Sequence, residues 1–395
     1  MRLIASAVFC AVLFTAIARA GTSADCSAPA AISDGLPVSP PAAQGLDPHL
    51  ICSAGPGLAK LAGADPHGVV VIRHGVLVYE QYFAGDDMRG WTPLGVVPHG
   101  ANTLHNIQSI TKSVVALLVG IAFDRGWLKD LDTPIFSFFP EYADLRTPEK
   151  GRITLRHLLS MTSGLDWPER AISINNPANI VRQARIAPDP YRAVLERSVE
   201  AAPGTAWNYN GGGVWLLGLV LEKVLGQPLD QLTKKALFEP LGITDWEWER
   251  FPNGHPYASG GLQLRPRDLA KLGQLVLDDG VWQGRQIVSV DWIKQMTSRR
   301  NPDGMWFGFA RGYGYLWWLG RSSIDGRDID WVGSLGWGGQ RLYAVSELSL
   351  VVAVTADVYG SSQGGAPCSG EPRWRHGPEL ICIARGARPL RTSGG

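Results

Sequence analysis

The chain has 395 residues, 45% of them hydrophobic and 18% charged, which suits a large buried core and excludes a disordered or fibrous protein. Lys and Arg number 37 against 36 Asp and Glu, so no basic excess draws it to nucleic acid or to an anionic membrane surface. One large domain or two interlocked ones is the expectation at this length.

Met1-Arg2-Leu3-Ile4 opens an apolar run ending at Ala18, and Ala18-Arg19-Ala20 precedes Gly21. That is the order of a secretory signal over residues 1–20, cleaved after Ala20. The run is shorter than the roughly 20 residues a spanning helix needs, and no later segment is longer without charge, so stable membrane insertion is not expected. Lipid attachment needs a small-residue box directly before a cysteine, and Asp25 stands before Cys26. The mature chain is therefore expected to be periplasmic or secreted. Cys26, Cys52, Cys368 and Cys382 remain after cleavage, and an even set in an exported chain predicts disulfides. Local Cys26–Cys52 and Cys368–Cys382 bridges are the first expectation, and a bridge joining the two ends is the alternative. No two cysteines are spaced as zinc ligands.

Residues 27–66 are rich in Pro, Gly and Ala and read as an extended leader. Val69 to Glu80 holds two β-rich runs about His74-Gly75, a hairpin, and a loop over 85–105 follows. From Ser109 the sequence is apolar nearly all round to Phe123 and stops at Gly126, a buried helix. Further helices are expected over Leu155 to Met161, Asn210 to Leu225, Arg267 to Leu277 and Val290 to Thr297. Tyr313 to Leu319, Asp328 to Val332, Leu342 to Val345 and Leu348 to Ala356 read as strands. Strands at both ends enclosing a helical middle predict an α/β domain built from both termini with a helical domain inserted.

Ser109-Ile110-Thr111-Lys112 sets a hydroxyl and an amine three residues apart at a helix start, one turn from each other on the same face. A serine hydroxyl is a weak nucleophile until a base takes its proton, and a lysine in apolar surroundings has its pKa pushed down far enough to serve. The helix amino terminus adds positive potential where an oxyanion forms. Lys112 alone among the lysines has a serine three positions earlier. Tyr209, in Trp207-Asn208-Tyr209-Asn210-Gly211-Gly212-Gly213, would be the proton carrier, because a phenol beside a cationic lysine can relay a proton. A lone tyrosine of this kind more often packs a loop, so the position matters only alongside Ser109. In Gly333-Ser334-Leu335-Gly336-Trp337-Gly338-Gly339-Gln340 the glycines would let a strand approach a ligand closely and aim an N–H at a substrate carbonyl.

Together these segments resemble the serine hydrolases of the class C β-lactamase and penicillin-binding-protein fold, from about Gly45 to Ala356. The resemblance includes His74 to Phe83, Thr154 to Leu165 and Ser259 to Leu269. The Tyr-Asn-Gly-Gly and Gly-Trp-Gly-Gly-Gln wording is most similar to the branch with 6-aminohexanoate-dimer hydrolases and related esterases. It implies an α+β, β-lactamase/transpeptidase-like fold: an α/β sandwich with an antiparallel sheet from both chain ends, over 67–135 and 230–365. A helical domain would occupy 136–229, a leader 21–66 and a Cys-containing tail 366–395. It further implies Ser109 as nucleophile, Lys112 as activating base, Tyr209 as second proton-transfer group, and the N–H groups of Ser109 and Trp337 as oxyanion hole. Gly336, Gly338 and Asn210 would line the substrate site.

Two departures shape the expected substrate. After Tyr209 the family's spaced asparagine is absent or displaced to Asn210, and the third motif has Gly336, or Gly333 with a shifted alignment, where β-lactamases carry Lys or His. Losing a cation that pairs with the β-lactam carboxylate weakens its recognition by about 1–3 kcal/mol, one to two powers of ten. An exported serine hydrolase acting on a small ester or linear amide is therefore expected. A β-lactamase or D-alanyl-D-alanine carboxypeptidase, and a sensor that is acylated without turnover, are the alternatives. Trp207, Trp215, Trp317, Trp318, Trp331 and Trp337 lie in or beside the motifs. Most read as packing, with Trp337 the one expected to touch substrate. Gly360-Ser361-Ser362-Gln363-Gly364 matches a nucleophile elbow but lacks a following helix. The histidines, His99, His105, His157 and His255 among them, show no ligand-like spacing, so neither metal nor cofactor is expected.

Overall fold

Runs rich in Val and Ile from the two ends of the chain meet in one antiparallel sheet. In the computed structural model, which describes residues 26–60, 64–301 and 310–359, helix α1 (Pro48–Ala59) leads to β1 (Pro66–Arg73) and β2 (Val76–Tyr82). A second hairpin, β3 (Ala84–Arg89) and β4 (Thr92–Pro98), and the short β5 (His105–Asn106) precede α2 (Ile110–Asp124). The middle is helical: α3 (Leu155–Leu159), α4 (Ile180–Arg185), α5 (Pro190–Leu195), α6 (Gly211–Leu225) and α7 (Leu229–Thr233). β6 (Trp246–Trp248) and β7 (Leu262–Leu264) join β5 in a small sheet before α8 (Pro266–Leu277). The hairpin β8 (Val281–Trp282) and β9 (Arg285–Gln286) precedes α9 (Val290–Met296). Strands β10 (Ala310–Tyr313), β11 (Trp318–Ile324), β12 (Arg327–Gly336), β13 (Gln340–Val345) and β14 (Leu350–Ala356) follow.

The main sheet runs β10-β11-β12-β13-β14-β1-β2, so the first strand among the described residues pairs with the last of them, Val71 opposite Val352. Val69 to Ile72 and Leu350 to Val352 are fully buried, each side chain contributing about 1.5–3 kcal/mol as an upper estimate. Helix α8 packs on β1, β13 and β14. There a Cβ on Gly273 would come within 2.7 Å of Val351, so only glycine lets the helix lie this close. Arg267 of α8 reaches Glu80 of β2 at 2.5 Å and Asp34 at 3.2 Å, which pins the segment ahead of α1. Helix α6 is the centre of the helical region, touching α2, α3, α5 and α7. Its Asn210 N-cap side chain accepts from Gly213 N, and Trp215 packs edge-on against Trp167.

Three expectations about elements are corrected. The stretch read as an extended leader contains α1, started by Asp47, whose carboxylate accepts from the His49 and Leu50 amides and offsets the Pro and Gly content. The loop expected over 85–105 contains the β3–β4 hairpin. Its strands carry mostly exposed side chains without apolar alternation, and Gly90 supplies the positive φ of its turn. The strand expected over Tyr313 to Leu319 is two strands with a bend between. Leu316 has φ +59° and donates to Leu159 O, and Tyr315 donates to Met296 O, so these amides leave the ladder. The expected Cys26–Cys52 bridge is present. Cys368, Cys382 and the segment 360–364 lie outside the described residues. Among the described residues no helix is long and apolar enough to cross a membrane.

Candidate active site

Ser109 is the N-cap of α2, whose residues Ile110 to Ala122 are all buried, and this burial holds the helix against β12 and β13. Lys112, one turn on, points Nζ at Ser109 Oγ at 2.8 Å. The same Nζ donates to the carbonyl of Ser259 at 2.8 Å, and the Ser259 hydroxyl accepts from Trp215 Nε1 at 2.7 Å. The lysine is held from two sides and is 3% exposed. Gln108, just before the serine, has φ +50°, a strained value for a side chain of this size. Its N–H donates to Asn106 Oδ1 at 2.8 Å and its carbonyl accepts from Thr111 at 2.6 Å, which over-determines the turn that presents Ser109.

The expectation of a depressed lysine is overturned. Burial is the largest effect and lowers the Lys112 pKa, but Tyr209, Glu169 and Tyr257 together raise it above the ordinary lysine value. Its Nζ lies 4.9 Å from the Tyr209 ring centre, and Tyr209 is the largest of the influences that raise the lysine.

Gly336 ends β12 where a Cβ would lie 2.6 Å from the carbonyl of Ile107, so glycine is what lets this strand end come up against the turn carrying Ser109. Ser334 of the same strand hydrogen-bonds Ser113 of α2 at 2.7 Å. Trp337 follows, half-buried, its ring 4.4 Å from Tyr359 and 6.2 Å from Trp91 at the tip of the β3–β4 hairpin. The Tyr359 hydroxyl accepts from Gln108 Nε2 at 3.0 Å and from Gln340 Nε2 at 3.3 Å. It links the turn carrying Ser109 to the turn carrying Trp337. Gly338, at φ +81°, leaves room for that phenol, since a Cβ would sit 2.1 Å from it.

The expected site residues Ser109, Lys112 and Tyr209 therefore converge, Gly336 lies against the same turn, and Trp337 and Gly338 pack on Tyr359, whose hydroxyl reaches that turn. Asn210 differs: its Oδ1 is taken by the cap of α6 and its Nδ2 is buried without a partner. Among the tryptophans, Trp215, Trp317, Trp318 and Trp331 are core residues, while Trp207 and Trp337 are half-buried. Tyr209 stacks on Trp318 at 6.1 Å. Sequence reasoning missed Ser259, Glu169 and Tyr359. Glu169 accepts from the Gly211 amide and from Trp167 Nε1, both at 2.6 Å, where the α6 amino terminus favours a carboxylate. It also missed a convergence of histidines, for His67, His99 and His105 come together with Asp87 although no spacing connects them. Burial holds all three imidazoles well below their ordinary pKa, His67 to about 2 and the others to about 4, so they are neutral.

The Beta-lactamase family pattern matches residues 54–367, and the chain belongs to that family. It is 32% identical to Esterase EstB of Burkholderia gladioli over 212 residues, 50% of this chain and 52% of the relative. It is 25% identical to the 6-aminohexanoate-dimer hydrolase of Paenarthrobacter ureafaciens over 257 residues, 60% of this chain and 62% of the relative. The chain spans about half the length of the first curated relatives it matches. A D-stereospecific amidohydrolase from Streptomyces sp. superposes with a TM-score of 0.56 at 19% identity, covering 82% of this chain and 99% of that one. That likeness concerns the fold.

Proposed function

We propose that the protein is an exported serine hydrolase that forms an acyl-enzyme on Ser109 and hydrolyses an ester or a small linear amide. The observation that carries this is the 2.8 Å contact between Lys112 Nζ and Ser109 Oγ at a buried helix start. Ser109 Oγ attacks the acyl carbonyl in the form of the Lys112–Tyr209 pair that has one vacant proton position, an amine or a phenolate, and the serine proton fills that position. The tetrahedral oxyanion accepts hydrogen bonds from the N–H groups of Ser109 and Trp337, helped by the α2 dipole. The pair returns the proton to the departing alkoxide or amine. Water then attacks the acyl-enzyme by the same route in reverse and frees the acid. Export is supported by the signal-like start and by the Cys26–Cys52 bridge, which suits an oxidising compartment. An ester or linear amide is favoured over a β-lactam because Gly336 stands where a carboxylate-binding cation is expected.

The test is intact-mass spectrometry after a fluorophosphonate probe, on wild type and Ser109→Ala, with p-nitrophenyl butyrate hydrolysis measured in parallel. One adduct and turnover, both lost in the variant, are expected. A folded Ser109→Ala protein with full activity overturns the mechanism. Labelling by a fluorescent penicillin with faster turnover of β-lactams than of esters overturns the substrate class.

A further inference from the structure

We propose that His67, Asp87, His99 and His105 form a closed binding site for a divalent transition ion, best suited to zinc, which ties the β3–β4 hairpin to the strand leading into Ser109. The four side chains come from β1, β3, the segment after β4, and β5, and their ligand atoms all lie within 4.8 Å of one another. His105 donates from Nδ1 to the Asn106 carbonyl at 3.1 Å, which fixes its tautomer and leaves the Nε2 lone pair facing inward. His67 Nδ1 lies 2.9 Å from that Nε2. Asp87 offers Oδ1 at 4.0 Å from His105 Nε2 and Oδ2 at 3.8 Å from His99 Nε2. His99 Nε2 is buried, too far from that carboxylate for a hydrogen bond, and has no partner. A buried polar atom left in this way costs about 1–3 kcal/mol, and a cation among the four would satisfy it.

The donor set decides which ion. Three imidazole nitrogens and one carboxylate oxygen without a thiolate suit zinc among common divalent ions, and four protein ligands leave no open position, as in structural sites. With bonds of 2.0–2.1 Å the edges of such a tetrahedron are about 3.3 Å, so Asp87 and His99 move inward by side-chain rotation. The His99 ring, stacked on His67 at 3.9 Å between centroids, turns edge-on to the ion. Gly85 leaves room for the His67 ring, because a Cβ there would come within 2.6 Å of its Nε2. The consequence for the fold is direct. His105 precedes Asn106, whose side chain holds the Gln108 amide, and the hairpin carries Trp91 to Trp337.

The experiment uses the full-length mature protein stripped with a chelator, then titrated with zinc chloride by calorimetry, with metal content by plasma mass spectrometry and the fold checked by circular dichroism. About one zinc per chain and a raised Tm are expected. His99→Ala and Asp87→Ala, each removing a ligand, should weaken binding by about 100-fold or more, beyond the 10–100-fold typical of outer-shell partners. Absence of saturable zinc binding by wild type overturns the proposal, whatever the variants do. Folded variants that bind zinc as tightly as wild type overturn it as well. None of these readouts depends on hydrolase activity, so failure here is distinct from failure at Ser109.

Discussion

The Trp215 indole donates to the Ser259 hydroxyl at 2.7 Å, and that serine's carbonyl is one of the two oxygens holding Lys112. A core tryptophan of α6 thereby positions the Lys112 Nζ beside Ser109. Trp215→Phe keeps an aromatic ring in the core but removes the donor, at about 1–3 kcal/mol of stability. Its kcat is expected to fall about tenfold with KM little changed, because the displaced group acts on the proton transfer. Steady-state kinetics beside urea unfolding separates the two effects, and a change in KM alone would contradict this role.

Lys112 can act as a proton acceptor or as a fixed cation. Arginine keeps the charge and gives up no proton in proteins. Lys112→Arg is therefore expected to lose about 10²–10⁴ in kcat/KM, close to the loss in Lys112→Ala. An arginine variant with near wild-type rate would assign the proton to Tyr209. The stability sign follows from the raised lysine. Its contribution is fully present below the unfolded lysine pKa of about 10.4 and is lost as pH rises through the higher folded value. Urea unfolding of wild type against Lys112→Met should show the difference narrowing above about pH 10.

Gly336→Ala tests the close approach of β12 to the serine turn. A Cβ would meet the Ile107 carbonyl at 2.6 Å, and backbone cannot yield as a flexible side chain does. The strand end must move, carrying the Trp337 amide with it. Loss of one oxyanion donor costs about 10²–10³ in kcat. The variant should approach that loss while remaining folded, and fluorophosphonate labelling should slow in parallel. Unchanged kinetics would mean that the strand end plays no part in the oxyanion site.

Much of this was legible in the sequence because local chemistry and fold agree. Nearly continuous apolar runs marked α2 and α6, apolar periodicity marked α8, and β-branched runs marked β1 and β14. Ser109 and Lys112 were visible because one helical turn fixes their spacing. Ser259 and Tyr359 were not, because a backbone carbonyl and a bridging phenol leave no pattern and are brought to Lys112 and Gln108 only by tertiary packing. The β3–β4 hairpin escaped because its side chains are largely solvated, and the histidine group because its members come from separate strands. The Lys112 shift was misjudged in sign for a related reason. Burial could be inferred from the apolar helix, whereas Glu169 and Tyr257, which outweigh it with Tyr209, are distant in sequence.

The Cys26–Cys52 bridge closes a loop of sequence separation 26 and anchors the chain to α1. Chain-entropy arguments give about 3–4 kcal/mol for a loop of that size. The Cys26→Ser/Cys52→Ser double variant should lower stability by that order in urea unfolding, with kcat unchanged, since α1 packs on β1 and β2. An equal Tm with and without the bridge would show that α1 is held by packing alone.

Tyr359→Phe removes a single oxygen that accepts from Gln108 at 3.0 Å and from Gln340 at 3.3 Å. The ring stays against Trp337, so packing is retained, but the strained Gln108 backbone loses one of the contacts that hold it. Both turns flanking the proposed oxyanion site then gain freedom. Because Gln340 also donates to the Ala356 carbonyl at 2.6 Å, its own turn keeps a second anchor and the Gln108 side suffers more. Kinetics should show about a tenfold loss in kcat, with a stability change near 1 kcal/mol. Restoring the acceptor is not possible with phenylalanine, so Gln108→Ala serves as the partner variant. If the bond carries the effect, the double variant is no slower than either single one, and additive losses would show that Tyr359 acts elsewhere.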